Sequence, residues 1–397
     1  MVHPGLGAMP GDILNTPTFT NVSCAAYHCL ALTADGTVYG WGSNLNGQLG
    51  LGESLAVTIK GSSKYARKLA TGAKQIAVSD TLSWYLATDG TVFESGNGTS
   101  TVFQPRSEAA AVSIACGPSV CLSLSSAYYL SVVGSLRPLG LTPPSVSVGL
   151  PWFHVTISDT RIMLTLTNGQ QYFIGDNSEY SVSTRIVRTL ITQWTSSTQV
   201  WPQNPLVMSC GDSTYTYTSA TIYGSGPTAF RLAGSAAAYY PIVYTVAPGD
   251  AILDLSCASG SVFFRTQNAP RHVQVIGNID VHLYAGQLAA SGPTAISMQN
   301  VLEGYSVSRL MSPSASAPFM IAVLTANVLS TSYTPDDPNG ASFLGFGTNF
   351  YGQSLMGRIS KGENPVTMYG PPSVGPKIPA GLGISTTFNP NVTLAGG

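Results

Sequence analysis

Between Val22 and Gly52 two patterns of hydrophobic and polar positions follow one another. The run VSCAAYHCLALT, ending at Thr33, is almost wholly apolar, and Asp35-Gly36 breaks it. Thr37-Val38-Tyr39 then opens an alternating stretch that closes on Trp41-Gly42, with Gly47-Gln48 beyond. Apolar runs of strand length bounded by Asp-Gly predict an antiparallel hairpin, and the Leu, Val, Tyr and Thr on either side favour strands. Asp-Gly suits a two-residue turn whose central residues both take positive φ.

The pattern repeats. Cys24 lies 18 residues before Gly42, and Val78–Gly96, Cys116–Gly134 and Ile157–Gly175 keep that interval. Cys210 to Gly226 is 16 and Cys257 to Gly277 is 20. A seventh copy ends at Phe343-Leu344-Gly345-Phe346-Gly347, followed by Gly352-Gln353. Asp89-Gly90 and Asn168-Gly169 stand where Asp35-Gly36 stands. The period is about 51 residues, and units of that size cannot each bury a sheet face alone, so they need neighbours. Hairpins are expected near 22–42, 76–96, 114–134, 155–175, 208–226, 255–277 and 309–347. The stretches 53–73, 99–110, 137–151, 180–205, 227–250, 279–306 and 330–341 should hold further strands and surface loops. The seventh hairpin carries an insertion, Ser330 to Asn339. Nothing reads as helix beyond a couple of turns, so the chain is expected to be all-β.

Composition narrows this further. Of 397 residues, 44% are hydrophobic, 9% are charged, and the net charge is −1. The charged share is far below the usual quarter or so. Such a surface fits a part packed into an assembly or exposed outside cells. No secretory leader is expected in MVHPGLGAMPGDIL, and no run approaches the ~18 apolar residues of a membrane span. The expected place is therefore a virus particle or, failing that, the cytoplasm.

The residues of the first unit resemble the repeat of the regulator of chromosome condensation family. Ser23-Cys24, His28, Leu30-Ala31-Leu32, Asp35-Gly36, Val38-Tyr39, Trp41-Gly42, Asn44 and Gly47-Gln48-Leu49-Gly50 match its pattern. Gly345-Phe346-Gly347-Thr348-Asn349 with Gly352-Gln353 is a second copy, while Ser209-Cys210-Gly211 and Ala115-Cys116-Gly117 keep the opening triplet. The resemblance covers roughly residues 15–380 and implies a seven-bladed β-propeller. It further implies a ring closed by Ile13–Phe19 and Val366–Ile378. The domain layout expected is a 1–12 extension, a 13–380 propeller and a 381–397 tail. The family's founding member is an exchange factor for the small GTPase Ran and docks on nucleosomes. Those activities use charged patches and a basic tail that this chain lacks. Other members are interaction platforms, and some secreted bacterial ones inhibit enzymes.

The six cysteines read as buried free thiols. Cys24, Cys116, Cys210 and Cys257 are one site in four units, too far apart around a ring for the ~5.5 Å Cα separation of a disulfide. Cys24 and Cys29 read as lying along one strand. His28 is expected to make a structural hydrogen bond inside its blade. No triad, carboxylate pair or metal cluster emerges, so no catalytic, cofactor or metal residue is assigned and no enzyme is expected. Asp336-Asp337-Pro338-Asn339-Gly340 lacks the alternation of a Ca²⁺ loop and reads as a solvent turn. Asn21-Val22-Ser23, Asn97-Gly98-Thr99 and Asn391-Val392-Thr393 fit the glycosylation acceptor pattern but read as chance matches.

Two kinds of segment are candidates for partner contact. Lys60, Lys64, Tyr65, Arg67 and Lys68 form a basic loop after the first unit, suited to an acidic partner or phosphate; the leading alternative is a solvated loop guarding a sheet edge. Trp194, Trp201, Tyr239, Tyr240 and Tyr244 lie in loop regions 190–205 and 239–244, either as an interface or as packing at the blade ends. The expected function is a non-enzymatic scaffold or structural subunit of a larger assembly such as a virus or phage particle. The alternative is a soluble regulatory or inhibitory module for a GTPase or an enzyme. Partners are other proteins, with nucleic acid and small-molecule substrates not expected.

Overall fold

A computed structural model describes residues 19–52, 62–97, 100–137, 139–168, 170–180, 186–196, 207–210, 213–226, 229, 232–234, 242–258, 261–269, 273–277, 296–297, 307–311, 319–324 and 342–347. Its strands form seven separate antiparallel sheets. The first blade is β1 (Phe19–Cys24), β2 (His28–Thr33), β3 (Val38–Ser43) and β4 (Ser62–Ala70). The second is β5 (Ala73–Val78), β6 (Leu82–Ala87), β7 (Val92–Gly96) and β8 (Ser100–Pro105). The third is β9 (Ala111–Cys116), β10 (Val120–Ser125), β11 (Tyr129–Gly134) and β12 (Val146–Ser147). The fourth is β13 (Trp152–Ile157), β14 (Arg161–Leu166), β15 (Gln171–Tyr180) and β16 (Ile186–Ser196). The fifth is β17 (Val207–Cys210), β18 (Ser213–Tyr217), β19 (Thr221–Ser225) and β20 (Ile242–Thr245). The sixth is β21 (Ile252–Ala258), β22 (Ser261–Thr266), β23 (Gln274–Gly277) and β24 (Ile296–Ser297). The seventh is β25 (Val307–Met311), β26 (Phe319–Leu324) and β27 (Ser342–Gly347). Each is a meander in chain order. The count of seven agrees with the repeat. Of the expected closing segments only Phe19 is described, paired with Thr33 in the β1–β2 ladder; the rest of Ile13–Phe19 and all of Val366–Ile378 lie outside the described residues.

Each expected hairpin turns out to hold three strands, not two. What reads as one apolar strand from Val22 to Thr33 is β1 and β2, separated by a turn at residues 25–27. In this copy the turn is Ala25-Ala26-Tyr27, without the Gly, Pro, Asn or Asp that marks turns, so hydrophobicity runs through it unbroken. The fourth strand of each of the first six blades lies in the stretch expected to hold it.

This turn overturns the reading of the cysteines. Cys24 and Cys29 stand directly opposite each other on β1 and β2, their Cα atoms 4.1 Å apart, and form a disulfide. Cys116 and Cys121 do the same on β9 and β10, again at 4.1 Å. Cys257 is also disulfide-bonded. A spacing of five residues separates two thiols along a single strand; once the chain reverses between them it makes them cross-strand neighbours.

The Asp-Gly turns also differ from expectation. The N–H of Gly36 donates to the Thr33 carbonyl, and the N–H of Thr33 to the Thr37 carbonyl. Only Gly36 has positive φ, at 79°. This is a three-residue loop with a bulging glycine, not a two-residue turn. Ala87, Gly90 and Thr91 repeat it, with Gly90 at φ 92°.

The glycine that recurs at or near the end of the third strand in the first three blades, and lies inside the longer β15 in the fourth, has a definite task. Gly42, Gly96, Gly134 and Gly175 lie at φ between 98° and 113°. A Cβ there would be driven into the carbonyl oxygen of Tyr27, Thr81, Ser119 or Thr160 respectively. Three of those carbonyls accept, at 2.8 Å, the N–H of the residue after the glycine: Ser43 to Tyr27, Asn97 to Thr81, Asp176 to Thr160. The third strand is thereby pinned against the turn that opens the second.

The core lies between blades. Leu30, Leu32 and Val38 of the first blade pack with Ile76, Val78 and Tyr85 of the second. Trp84, Leu86 and Val92 meet Ile114 and Cys121 of the third. Leu122 and Leu130 meet Ile162, Leu164 and Ile174 of the fourth, and Tyr215 and Ile222 of the fifth meet Leu255 and Phe264 of the sixth. Each such side chain contributes on the order of 1.5–3 kcal/mol when removed from water.

First strands are also bolted together by a repeated bulge. The ladders of β1, β5, β13, β21 and β25 slip between the first and third residues of the strand. A bulge re-aims the third side chain, and in two blades that side chain bonds the next first strand. The Gln75 amide donates to the Ile114 carbonyl at 2.7 Å and accepts the Ile114 N–H at 3.0 Å. Asp254 accepts the Leu310 N–H at 3.0 Å and is bridged by Arg265 at 2.7 Å.

Candidate interaction surface

The first turns of four successive blades form a collar at one end of the fold. They are Ala25-Ala26-Tyr27, Ser79-Asp80-Thr81, Gly117-Pro118-Ser119 and Ser158-Asp159-Thr160. The steps are bonded in sequence. The Ala26 N–H donates to Asp80 Oδ1 at 3.2 Å, and the Asp80 N–H to the Pro118 carbonyl at 2.9 Å. Gly117 then abuts Ile157, leaving no room for a side chain.

Two different devices hold these turns rigid, in alternation. In blades one and three a disulfide ties the strands at the turn. In blades two and four a serine does so: Ser79 Oγ accepts the Leu82 N–H at 3.0 Å, and Ser158 Oγ accepts the Arg161 N–H at 3.0 Å. Short hydroxyl side chains bond nearby backbone in this way at turns.

Asp159 has its carboxyl raised above the ordinary carboxylate value. Partial burial is the main cause, the negative Asp80 adds to it, and Arg137 opposes it. Two carboxylates on blades two and four therefore feel each other across the collar. Tyr27, at 43% exposure, and Leu45, at 40%, stand on the same end at blade one. The Tyr27 carbonyl and the Leu45 N–H both meet Ser43, at its N–H and its hydroxyl. The opposite end is different: Asp35 and Asp89 are held below the usual value chiefly by hydrogen bonds from Thr33 and Thr91.

His28 sits directly beneath the collar, fully buried. Its Nε2 is 2.8 Å from the Ser83 hydroxyl. The expected bond inside the blade is thus a bond between blades, because β2 faces the second sheet. A Ser–His pair at that distance has the spacing of a nucleophile and its base. Here both residues are sealed from solvent, and Asp80 spends its Oδ1 on Ala26. Burial lowers the His28 pKa to about 3, so the ring is neutral. Among the described residues no group of three or more His, Cys, Asp or Glu could hold a metal ion. Nor is any helix among them long and apolar enough to cross a membrane.

The described contact residues singled out in the sequence lie on fourth strands, not on the collar turns. Arg67 and Lys68 are on a strand, β4, opposite Gly40 and Tyr39, not in the loop expected. Lys64 and Tyr65 share that strand, and Lys60 lies outside the described residues. Trp194 is on β16, its indole N–H donating to the Pro144 carbonyl at 2.9 Å while its ring packs on the third and fourth blades. Tyr244 is on β20, its ring 5.0 Å from that of Phe264. Both were expected in loops; paired strand backbone and inter-blade packing hold them instead. Trp201, Tyr239 and Tyr240 lie outside the described residues. The collar residues Tyr27, Asp80 and Asp159 were missed, although one signal existed: Ser-Asp-Thr recurs at the same place in units two and four.

Comparison with known proteins agrees with this architecture. Residues 19–48 and 35–77 match models of the regulator of chromosome condensation (RCC1) repeat. The probable E3 ubiquitin-protein ligase HERC3 of Homo sapiens is 41% identical over 81 residues, 20% of this chain and 8% of that protein. The ultraviolet-B receptor UVR8 of Arabidopsis thaliana is 44% identical over 46 residues, 12% of this chain and 10% of that protein. The chain thus spans a tenth or less of these curated relatives. Among solved structures, human WBSCR16 is similar with a TM-score of 0.56 at 13% identity, over 75% of this chain and 85% of that one. Prp20p of Saccharomyces cerevisiae, a protein with binding properties to Gsp1p and histones, gives 0.56 at 13%, over 74% and 80%. The structure of yeast RCC1 (Prp20) with Kap60 bound gives 0.54 at 14%, over 75% and 78%. Identity this low speaks for fold alone. The chain carries the RCC1 repeat at residues 19–77 and is an all-β, RCC1-like propeller.

Proposed function

We propose that this chain is a non-enzymatic propeller that binds a protein partner on the collar. The observation that carries the reading is the pair Asp80 and Asp159, held on rigid turns with enough mutual repulsion to help raise the Asp159 pKa. Two carboxylates that repel each other on fixed turns, with an exposed Tyr27 on the same end, suit a partner with basic side chains. Propellers of this fold in other proteins bind proteins, as Prp20 does Kap60, which is consistent with a platform role. The test is quantitative capture from native extract by the intact chain and by Asp159→Lys and Tyr27→Ala variants. Loss of one stoichiometric partner in both variants is expected. Capture unchanged in both but abolished by Lys68→Glu would move the contact to β4 and end the collar reading.

A second reading, a structural subunit of a larger assembly such as a virus particle, is favoured by the 9% charged content. Sedimentation of the native material separates the two: a discrete small complex supports the platform, a large particle the subunit.

A further inference from the structure

We propose that the Cys116–Cys121 bridge is a redox latch on the collar: a dithiol reductant opens it, loosens the turn of blade three and weakens partner binding. The proposal rests on the collar reading given above. Aligned unit by unit, the turns are Ala25-Ala26-Tyr27, Ser79-Asp80-Thr81, Gly117-Pro118-Ser119 and Ser158-Asp159-Thr160. Their first position decides how each is closed. Ser79 and Ser158 supply a hydroxyl that accepts the backbone N–H of Leu82 and of Arg161. Ala25 and Gly117 have no hydroxyl, and there the cysteine just before is bridged to the second strand. The two closures do the same job by different chemistry, and only the disulfide opens on gaining electrons.

The bridge of blade three is the one a reductant reaches. Cys24 and Cys29 are 3% and 0% exposed, whereas Cys116 is half-buried beside a sealed Cys121. Its turn is also the middle link of the collar. On one side the Pro118 carbonyl accepts the Asp80 N–H at 2.9 Å. On the other, Gly117 lies against Ile157, just before Ser158-Asp159. The two carboxylates of the collar are thus spaced by the turn that this bridge holds. Once opened, the turn keeps the Gly117 N–H bond to the Val120 carbonyl at 2.8 Å and the Ser119 hydroxyl bond to the Ser135 carbonyl at 2.7 Å. The blade therefore stays assembled, but Gly117 offers no hydroxyl to replace the covalent tie.

The step is a two-electron exchange with a dithiol. One thiolate of the reductant bonds to Cys116 Sγ, the Cys116–Cys121 bond breaks, and Cys121 leaves as a thiolate that takes up a proton. The second thiol of the reductant loses its proton and attacks the mixed disulfide. The Cys116 thiolate is released and protonated, and the reductant closes to a cyclic disulfide.

The test titrates the folded full chain with dithiothreitol, then alkylates it and maps the masses. Cys116 and Cys121 should become labelled at about tenfold less reductant than Cys24 and Cys29 need. In the same samples amide exchange should quicken about tenfold at Asp80 and Ala26, while Ser43, in the blade whose bridge stays closed, is unchanged. The partner whose capture depends on Asp159 should dissociate over the same range of reductant. A chain with Cys116→Ser and Cys121→Ser should bind at the weakened level with or without reductant. Two bridges opening together, or Asp80 exchange unchanged after selective reduction, overturns the latch. Capture that needs Asp159 but ignores reductant also overturns it and leaves the collar reading in place. Quickened exchange with capture indifferent to Asp159 ends the collar reading and the binding half of the proposal, while selective opening of the bridge stands.

Discussion

The imidazole of His28 and the hydroxyl of Ser83 meet at 2.8 Å across the seam between blades one and two. Both are fully buried, so the seam tolerates only a neutral ring. The folded pKa is about 3, below the ordinary 6.5. Between those values the unfolded chain binds one more proton than the folded one. Stability from this residue is therefore full above pH 6.5 and is lost as pH falls toward 3, by about 1.4 kcal/mol per unit. Denaturant melts at pH 7, 5 and 4 should show that slope, reduced in His28→Gln. An equal slope in the variant would remove His28 as its cause.

Gly96→Ala should destabilise by about 2 kcal/mol or more, because it adds positive-φ strain to a collision with the Thr81 carbonyl. Gly72→Ala is the control: φ is also positive, at 78°, but nothing stands within 4 Å of the added carbon. It should lose only about 1 kcal/mol. Equal losses in the two variants would mean that close approach is irrelevant at the strand ends.

Without reductant, an alkylating reagent should leave Cys24, Cys29, Cys116 and Cys121 untouched in the unfolded chain. Each of the two bridges should contribute roughly 2 kcal/mol by loop closure over so short a separation. Mass mapping after alkylation decides the pairing, and labelling of Cys24 or Cys116 would contradict it.

Asp254→Ala removes a carboxylate partner of Arg265, a side chain only 8% exposed, and the acceptor of the Leu310 N–H. A loss of about 2–4 kcal/mol is expected. The double change with Arg265→Met should recover part of it, since the buried charge that has lost this carboxylate is then gone. A fully additive double mutant would show that the two residues do not interact.

Asp159→Asn should stabilise the fold at pH 7, by a few tenths of a kcal/mol given its partial exposure. Its folded pKa is raised, so the charged form is the unfavourable one, and the wild type should gain relative stability as pH falls. A residue kept at the expense of stability is expected of a binding surface. A lower melting temperature for Asp159→Asn at pH 7 would contradict this.

Much of the molecule was legible in its residues. The seven-fold recurrence, the strand character of each unit and the recurring third-strand glycine follow from spacing and side-chain type, although Gly175 falls inside β15 and does not end it. These are local properties, set by residues near in sequence, and repetition amplifies them. The break at residues 25–27 was hidden because Ala25-Ala26-Tyr27 carries no turn chemistry, whereas Ser79-Asp80-Thr81 and Gly117-Pro118-Ser119 announce the same turn plainly.

Folding alone decided which residues meet. His28 and Ser83 are 55 positions apart, and Asp254 and Leu310 are 56 apart; only the stacking of one sheet on the next brings them within bonding distance. The cysteine pairs show the same dependence at short range. Five residues along an extended strand keep two sulfurs apart, and five residues around a reversal bring them together. Periodicity says how many sheets there are, while the contacts between sheets depend on which face each strand turns to its neighbour. That is settled by bulges and packing that no single unit contains.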